Sequence, residues 1–335
     1  MEWLSEMSNP THLTSDIQEE ITVRSIKPEE FGQLFELFNE SFRKEIEVFG
    51  FDPSRFSPVV RLYRLVNELL PIVRVFRKEL PAILVATVGD KMIGYINSIP
   101  LGNGAWSLSS MAILREARGR GVGLRLMQEA LKDVKLKNGR IVLVDVWADN
   151  RASLNMCKKL EFAIYEKQAL LLSESIKMPS VRHSTDIQVR ESKRADAKQI
   201  AAMFQKLYPR RIWIKPKTIA DPVDFLQASL TNILTSSKTK EFVVELKGRI
   251  VGYARLSYTS PREIGKVDLF CLLPSGRFTE VATQFVRELL EFFASIDIRK
   301  VMVNISEELQ EAIKVFALFN FKHITSVYLL EKELA

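Results

Sequence analysis

The alternation of apolar and polar positions predicts a chain of mixed helices and strands. Residues 21–24 alternate as a half-buried strand does, and Pro28 then begins a pattern in which apolar residues recur at helical spacing. A second helical pattern begins at Ser57 and reaches Pro71, which ends or kinks it. The segments that follow predict, in order, strands at 83–88, 92–99 and 106–114, a helix at 122–135, a strand at 141–147, a helix at 152–159 and a strand at 162–172.

The second half of the chain repeats the pattern of the first. Residues 187–190 restate residues 21–24, and residues 312–321 restate residues 152–162 with one residue's difference in length. Because self-similarity indicates a duplicated unit, we predict two tandem α/β domains of the same fold. The polar segment between the halves predicts a linker. The predicted organisation is a flexible leader at 1–20, a first domain at 21–172, a linker at 173–186 and a second domain at 187–335.

The composition is that of a globular protein with an excess of basic residues. A length of 335 residues suits two domains, and the net charge of +7 could serve an anionic partner such as nucleic acid or a CoA ester. Lysine and arginine are spread along the chain, however, which is typical of a solvated surface. One denser basic cluster, interleaved with aromatic residues, could bind nucleic acid, but a solvated surface is the preferred interpretation. This cluster comprises Lys206, Tyr208, Arg210, Arg211, Trp213, Lys215 and Lys217.

Cysteine and histidine usage argues against a disulfide framework and a metal site. Cys157 and Cys271 lie far apart in apolar surroundings, and the 3 histidines are isolated, without metal-ligand spacing. Residues 1–6 carry acidic groups and no apolar core, so no secretory signal is expected. No run approaches the roughly 18 apolar residues that span a bilayer. We therefore expect a cytoplasmic protein without a metal and without a membrane segment.

A glycine-rich segment, Arg-Gly-Arg-Gly-Val-Gly at 118–123, lies between a predicted strand and a predicted helix. Glycine lets the backbone approach a phosphate closely, and a helix N-terminus offers unpaired N–H groups and partial positive charge. A dinucleotide-binding fold would place such a loop near the start of a βαβ unit. Because several predicted strands precede this loop, the segment indicates a different phosphate-bearing ligand.

Residues 113–123 resemble the acyl-CoA loop of the GNAT superfamily of N-acetyltransferases, in which Arg or Gln is followed by two residues, Gly, one residue, and Gly or Ala. The second signature of that family follows at the usual distance, as Val144-Asp145-Val146 and then Asn150, Ala152, Cys157 and Phe162. Together the two signatures cover the first half of the chain. The resemblance implies an α/β (α+β) fold with two tandem GNAT-like domains, each a mixed, mostly antiparallel sheet flanked by helices.

The same resemblance implies acetyl-CoA as the cosubstrate and assigns its binding site. Backbone groups of the strand before the loop would hold the pantetheine arm. Amides of residues 119–124 would hold the pyrophosphate, and Asn150 would contact the cofactor near its thiol end. The implied cofactor-binding set is Met111, Ala112, Ile113, Arg118, Gly119, Arg120, Gly121, Val122, Gly123, Leu124 and Asn150.

Two positions depart from the family pattern. Many relatives carry Tyr where this chain has Cys157, and there the phenol protonates the departing CoA thiolate. The Cys157 thiol could serve as that acid, because a free thiol has a pKa of about 8.5. A small apolar filler beside the cofactor is the preferred interpretation. Glu161 replaces the family's glycine before Phe162 and is expected to affect only a turn.

Transfer to an amine also requires a base, because an amine is mostly protonated at neutral pH. Residues 107–111 offer no carboxylate, whereas Asp145 falls where relatives that act on ribosomal-protein N-termini carry Glu. Val144 and Val146 should face the other side of the sheet, and a carboxylate in an apolar strand is unfavourable unless paired or used. Asp145 is therefore either the base, directly or through a water, or a structural partner for an arginine or the backbone.

The second domain keeps the apolar pattern and loses the functional positions. Residues 277–282 occupy the loop position, where Phe278 and Glu280 replace two glycines and Glu280 brings negative charge. The positions of Asp145, Asn150 and Cys157 are held by Asn304, Leu309 and Phe316. We predict that this domain does not bind CoA, and that it supports the first domain or forms a wall of the acceptor cleft.

These features predict acetyl transfer from acetyl-CoA to a primary amine of a small molecule or peptide, by direct attack in a ternary complex. Segment 49–80 lies where the family places acceptor-gating helices, and its arginines would favour an anionic acceptor if they face the cleft. The alternatives are a non-catalytic acyl-CoA-binding sensor or interaction protein and, less favoured, a nucleic-acid-associated module. The acceptor and the oligomeric state do not follow from the sequence.

Overall fold

The computed structural model describes residues 21–43, 46, 82–180, 184–207, 237–259 and 264–334. Three predictions fall outside these ranges. They are the leader at 1–20, the helical segment at 49–80 and the basic cluster from Tyr208 onward.

The described helices follow the predicted pattern, with boundaries shifted by a residue or two. The first domain contains a 3₁₀ turn at Pro28–Glu30, then α1 (Phe31–Ser41), a 3₁₀ turn at Arg115–Ala117, α2 (Val122–Leu136) and α3 (Arg151–Lys159). The second contains a 3₁₀ turn at Arg194–Asp196, then α4 (Ala197–Leu207), α5 (Phe278–Ser295) and α6 (Gln310–Leu318). Each 3₁₀ turn before α1 and α4 has an acidic third residue, and both are tied in the same way to the preceding strand.

The tie is an arginine that donates two hydrogen bonds to a buried carboxylate. Arg24 contacts Glu30, and Arg190 contacts Asp196 at 2.7 and 2.9 Å. In both cases the hydrogen bonds from the arginine outweigh burial and lower the pKa of the carboxyl group. An arginine and an acidic residue six positions later in both halves support the duplication inferred from the sequence.

The described strands form one continuous 12-stranded sheet in the order β1-β2-β3-β4-β5-β12-β6-β11-β10-β9-β8-β7. Adjacent strands are antiparallel except for the parallel pairs β4–β5 and β10–β11. The predicted α/β fold with mostly antiparallel sheets is therefore confirmed. The strands are β1 (Thr22–Ser25), β2 (Ala82–Val88), β3 (Lys91–Gly102), β4 (Ala105–Ile113), β5 (Ile141–Trp147), β6 (Ala163–Ser173), β7 (Ile187–Glu191), β8 (Ser237–Leu246), β9 (Arg249–Thr259), β10 (Ile264–Leu272), β11 (Lys300–Ser306) and β12 (Lys322–Glu333).

The two halves exchange their last strands at the centre of this sheet. Strand β12 inserts between β5 and β6, and β6 in turn pairs with β11 of the second half. The centre is the pair Gln168 and Val327, which lie six residues beyond Phe162 and Phe321 in the two repeats. Equivalent residues thus pair with each other, as a local two-fold axis requires. The repeat indicated two domains, but it did not indicate this exchange, and the domain boundaries stay predictions.

Each face of the sheet carries the same kind of helix in both halves. Helices α2 and α3 pack on one face of the first half around Leu126, Val134 and Val142, and α5 and α6 repeat this in the second half. Helices α1 and α4 pack on the opposite face. Among the helices in the described ranges, none is both long and apolar enough to cross a membrane.

Candidate active site

A cavity opens where the parallel strands β4 and β5 separate. The two strands pair only from Ala105 with Ile141 to Ser107 with Leu143. Beyond that point Ser110 adopts a left-handed conformation, with φ of 45°, and produces a bulge in the pairing of β4 with β3. A cavity of about 370 Å³ lies at this separation, and Ser110 of the bulge lines it.

The cavity has an apolar floor and a polar rim. Buried side chains from β3, β4 and β5 and from α2 and α3 form the floor, which includes Ile96, Leu108, Met127, Val144 and Cys157. The rim carries Ser110, Asp145, Asp149, Asn150 and Ser153. Such a combination suits a ligand with an apolar body and a few polar groups that fix its orientation.

The glycine loop leads to the N-terminus of α2, as predicted. Gly119 and Gly121 have φ of 77° and 78°, and a Cβ at either position would meet nothing within 4 Å. These glycines are therefore required by backbone conformation, and they leave open space above the loop. The first helical bond runs from the Arg125 N–H to the Gly121 carbonyl, at 3.0 Å. The preceding N–H groups have no helical partner, so they and the helix dipole favour an anion here.

Gly123 has a different role in the same loop. A Cβ at this position would lie 2.7 Å from Cδ1 of Ile113 and 3.4 Å from the Met156 sulfur. The glycine therefore lets the start of α2 approach the end of β4. Arg118 reinforces this junction, because its Nε donates to the Ile113 carbonyl at 3.0 Å. The predicted cofactor-binding role of Arg118 stays a prediction, and its observed contact is structural.

Asp145 lies on the rim of the cavity, in the middle of β5. It is exposed, whereas Val144 and Val146 are buried on the opposite face of the sheet, as the alternation predicted. The exposure corrects one step of the sequence argument, because an exposed carboxylate does not carry the desolvation penalty of a buried one. Its neighbour across the sheet is Leu329 of β12, so a strand from the second half flanks this side of the cavity.

Cys157 is fully buried in the floor. Burial raises the pKa of its thiol to about 11, which makes it a weaker acid than a free thiol. Its surroundings are the apolar side chains that join α2 and α3 to the sheet. The Cys157 side chain therefore contributes packing to the floor of the cavity.

Asn150 has a structural contact that the sequence analysis missed. Its side-chain oxygen accepts a hydrogen bond from the Ser153 N–H at 3.1 Å and caps the N-terminus of α3. The Asn-x-x-Ser spacing before a helical pattern could have indicated this cap.

Glu161 stands in the turn after α3 with φ of 60°, a conformation in which glycine is less strained. The expected effect on a turn is consistent with this conformation.

The structure adds residues to the site that the sequence did not single out. Trp147 and Asp149 follow Asp145 into the loop before α3, and Met156 follows Ser153 at helical spacing. The spacing on α3 could have identified Ser153 and Met156 once Asn150 was chosen. No sequence signal marks Ser110, since a serine bulge depends on the strands on either side. In the described part of the chain, no group of three or more His, Cys, Asp or Glu side chains is placed to hold a metal ion.

The equivalent region of the second half is packed with aromatic rings. The Phe270 ring lies 5.5 Å from that of Phe285 and 5.3 Å from that of Phe316, which stands in the position of Cys157. At the start of α5, Arg277 holds Glu280 through two contacts of 2.7 Å. A carboxylate and its arginine thus occupy the helix N-terminus that is glycine-lined in the first half. Both features agree with the predicted loss of a CoA site there.

Solved structures with a similar fold share little sequence with this chain. A GCN5-related N-acetyltransferase from Sphaerobacter thermophilus superposes with a TM-score of 0.64 at 14% identity, covering 93% of this chain and 95% of that one. A tandem GNAT protein from the clavulanic acid biosynthesis pathway superposes with a TM-score of 0.61 at 12% identity, covering 94% and 98%. A putative acetyltransferase from Pyrococcus horikoshii gives 0.57 at 12% identity, covering 97% and 92%. At these identities the likeness establishes the fold.

The family is shown by the sequence itself. No curated protein shows significant similarity to the chain. The model of the acetyltransferase (GNAT) family, in contrast, matches residues 33–162 and matches again at residues 204–321. These two matches cover well over half of the chain and coincide with the two halves of the sheet. The protein therefore belongs to the acetyltransferase (GNAT) family, as a member with two tandem copies of the fold.

Proposed function

We propose that the protein transfers an acetyl group from acetyl-CoA to a primary amine of a small molecule or peptide, at one site in its first domain. The observation that carries this proposal is that the glycine loop ends beside the cavity: a Cβ at Gly123 would lie 3.4 Å from Sδ of Met156 and 3.7 Å from Cε of Met111, and both methionines line the cavity. A CoA ester has a thioester at one end and a pyrophosphate further along, and the cavity and the glycine loop suit these groups in that order. At the corresponding positions of the second domain, Glu280 replaces Gly121, and the Phe270 ring packs against the rings of Phe285 and Phe316.

The backbone of the first domain would bind the cofactor. Beyond Ser107, the edge of β4 no longer pairs with β5, and in this proposal the backbone groups of Met111, Ala112 and Ile113 on that edge would bind the amides of the pantetheine arm. The amides of residues 119–124 would hold the pyrophosphate at the helix N-terminus. Arg120 is exposed in this loop and would add charge complementarity.

The amine would be activated and attack directly. Asp145, on the rim of the cavity, removes the proton from the bound ammonium, either directly or through a water. The freed amine attacks the thioester carbonyl, whose developing negative charge is stabilised by a backbone N–H of β4. The nitrogen then loses its second proton to water, the carbon–sulfur bond breaks, and CoA leaves as a thiolate without a covalent enzyme intermediate.

Departure of CoA does not require an enzyme acid in this scheme. A free thiol has a pKa of about 8.5, so a thiol whose pKa is about 11 would transfer its proton to the thiolate unfavourably. Cys157 therefore acts as packing beside the acyl group, and the thiolate takes its proton from water. Neither Cys157 nor Cys271 forms a disulfide, which suits a reducing compartment, so we place the reaction in the cytoplasm.

Replacement of Cys157 with alanine should have a small kinetic effect. Because the thiol is a poor acid, we expect kcat of Cys157→Ala to stay within about threefold of the wild type, which is far less than the loss of a working acid–base group would cause. The measurement is the rate of CoA release at saturating acetyl-CoA. A loss of roughly a hundredfold with unchanged CoA affinity would instead identify Cys157 as the acid.

The proposed function itself is tested with the wild-type protein, acetyl-CoA and pools of primary amines. We expect acetyl-CoA-dependent release of free thiol with at least one pool of amino acids, polyamines, peptides or aminoglycosides, and an acetylated product by mass spectrometry. Calorimetry should show CoA binding with one site per chain. CoA binding without turnover in any pool would contradict the enzyme and support the alternative, an acyl-CoA-binding sensor, which the weakly acidic Cys157 favours.

A further inference from the structure

Two equivalent hydrogen bonds fasten the loops after β5 and β11 to the exchanged strands. The Ala148 N–H, just after β5, donates to the Ser326 carbonyl of β12 at 2.8 Å. The Glu307 N–H, just after β11, donates to the Lys167 carbonyl of β6 at 2.9 Å. Lys167 and Ser326 each lie five residues beyond Phe162 or Phe321, so the two bonds are related by the local two-fold axis.

The side chain of Glu307 breaks this equivalence. One of its oxygens lies 2.9 Å from Nζ of Lys167, and the other accepts a hydrogen bond from the Ser326 hydroxyl. His323 Nε2 lies 3.3 Å from the same hydroxyl. Ala148, at the corresponding position of the first half, has only a methyl group. A single carboxylate from the second domain thus holds both exchanged strands.

The contacts of Glu307 favour an ionised, well-held carboxylate. Burial by itself would raise the pKa of Glu307, but the hydrogen bonds from Ser326 and Lys167 outweigh burial, and the pKa is lowered. Ser326 is buried, which limits competition from water for its hydroxyl. Charge-assisted hydrogen bonds of this kind are stronger and shorter than neutral ones.

The segment that Ser326 holds is the cofactor-side loop, defined here as residues 147–150. Trp147, Asp149 and Asn150 of this loop line the cavity, and Asn150 then caps α3. Ala148 lies between Trp147 and Asp149, and its N–H donates the hydrogen bond that joins the loop to β12. We propose that Glu307 of the second domain is a positioning residue for the acyl-CoA site of the first, which it orients through Ser326 and Ala148. This inference rests on the proposed function of the first domain.

The test compares CoA affinity in four variants and a matched control. Glu307→Ala and Ser326→Ala each remove the side-chain contact, and each should weaken CoA binding by about fivefold. This is less than loss of a hydrogen bond to a charged group would cause where the bond is made, because the contact affects CoA only through the loop. The double variant should lose no more than either single one, because both act through one contact. Glu307→Gln retains an acceptor for Ser326 and should regain most of the affinity.

Glu291→Ala is the control, because Glu291 pairs with Arg287 at 2.7 Å on α5, in the same domain and away from the cavity. It should leave CoA affinity unchanged. The dissociation constant is measured by calorimetry with CoA itself, and thermal unfolding confirms that every variant is folded. In turnover, Glu307→Ala should raise KM for acetyl-CoA and leave KM for the acceptor unchanged, a split that a general loss of stability does not produce.

The possible outcomes distinguish failure of the positioning role of Glu307 from failure of the proposed CoA-dependent function. Failure of the wild type to bind CoA would overturn both. Wild-type binding with unchanged affinity in Glu307→Ala and Ser326→Ala would overturn the positioning role alone. An equal loss in Glu291→Ala would also overturn it, because the effect would then come from the second domain's stability.

Discussion

Replacement of Gly121 with glutamate should abolish useful CoA binding, with a loss of roughly a hundredfold or more in affinity. Two effects combine at this position. Gly121 has φ of 78°, where an L-residue is strained by about 1–2 kcal/mol. A carboxylate at the start of α2 would also repel the pyrophosphate, by about 4 kcal/mol at 4 Å in a surface-like dielectric. The second domain already carries Glu280 at the equivalent position, so the substitution gives the first domain the same negative charge at the start of its helix.

Gly248→Glu is the matched control for this experiment. Gly248 lies in the turn between β8 and β9 with φ of 76°, and a Cβ there would also meet nothing within 4 Å. The two substitutions therefore introduce the same strain and the same charge, and only one does so at the glycine loop. Calorimetry with CoA and thermal unfolding should show similar losses of stability in both and a loss of affinity in Gly121→Glu alone. Equal CoA affinity in the two variants would show that the glycine loop is not part of the CoA-binding site.

Replacement of Asp145 with asparagine should reduce kcat/KM by about 10²–10⁴, the usual contribution of a general base. The change keeps the shape of the side chain and removes its proton-accepting charge. CoA affinity should not change, since the proposed cofactor contacts are made by the backbone of β4 and the glycine loop. As the pH rises toward the pKa of the acceptor amine, more of the amine is already deprotonated, and the difference between variant and wild type should narrow.

Asp149 provides the competing assignment, because it is an exposed carboxylate on the same rim. We expect Asp149→Asn to lose less activity than Asp145→Asn when both are assayed for initial rate across a pH series at saturating acetyl-CoA. A larger loss in Asp149→Asn would transfer the role of base to that residue. A uniform loss in Asp145→Asn at every pH, together with weaker CoA binding, would support its other interpretation as a structural partner.

The strand-exchanged sheet gives the second domain a direct part in the site of the first. Its last strand lies beside Asp145, and its Glu307 reaches the strand that holds the cofactor-side loop. Loss of the CoA-binding positions in the second domain is compatible with this role, because these contacts use β12 and the end of β11. The second domain was predicted to support the first, and β12 and Glu307 are the parts of it that make these contacts.

Local patterns were sufficient for the elements and for the cofactor loop. A helix or a strand is indicated by the spacing of apolar residues within it, and the glycines at 119 and 121 are required by the conformation of one turn. The duplication could also be recognised from the sequence, because it is found by comparing one half of the chain with the other. The sequence by itself therefore determined the fold class, the two repeats and the position of the glycine loop at the start of α2. That this loop binds a phosphate-bearing cofactor stays a prediction.

Tertiary structure alone decided which strands meet and which side chains are exposed. Strands β6 and β12 have the alternation of any half-buried strand, and a period of two does not specify a partner. The bond between Ala148 and Ser326 joins residues in different halves of the chain, and neither residue carries a local signal for it. The cavity at the separation of β4 from β5, with the Ser110 bulge beside it, likewise depends on strands that are distant in the sequence. These features arise from contacts between distant segments, so the sequence of either segment could not reveal them.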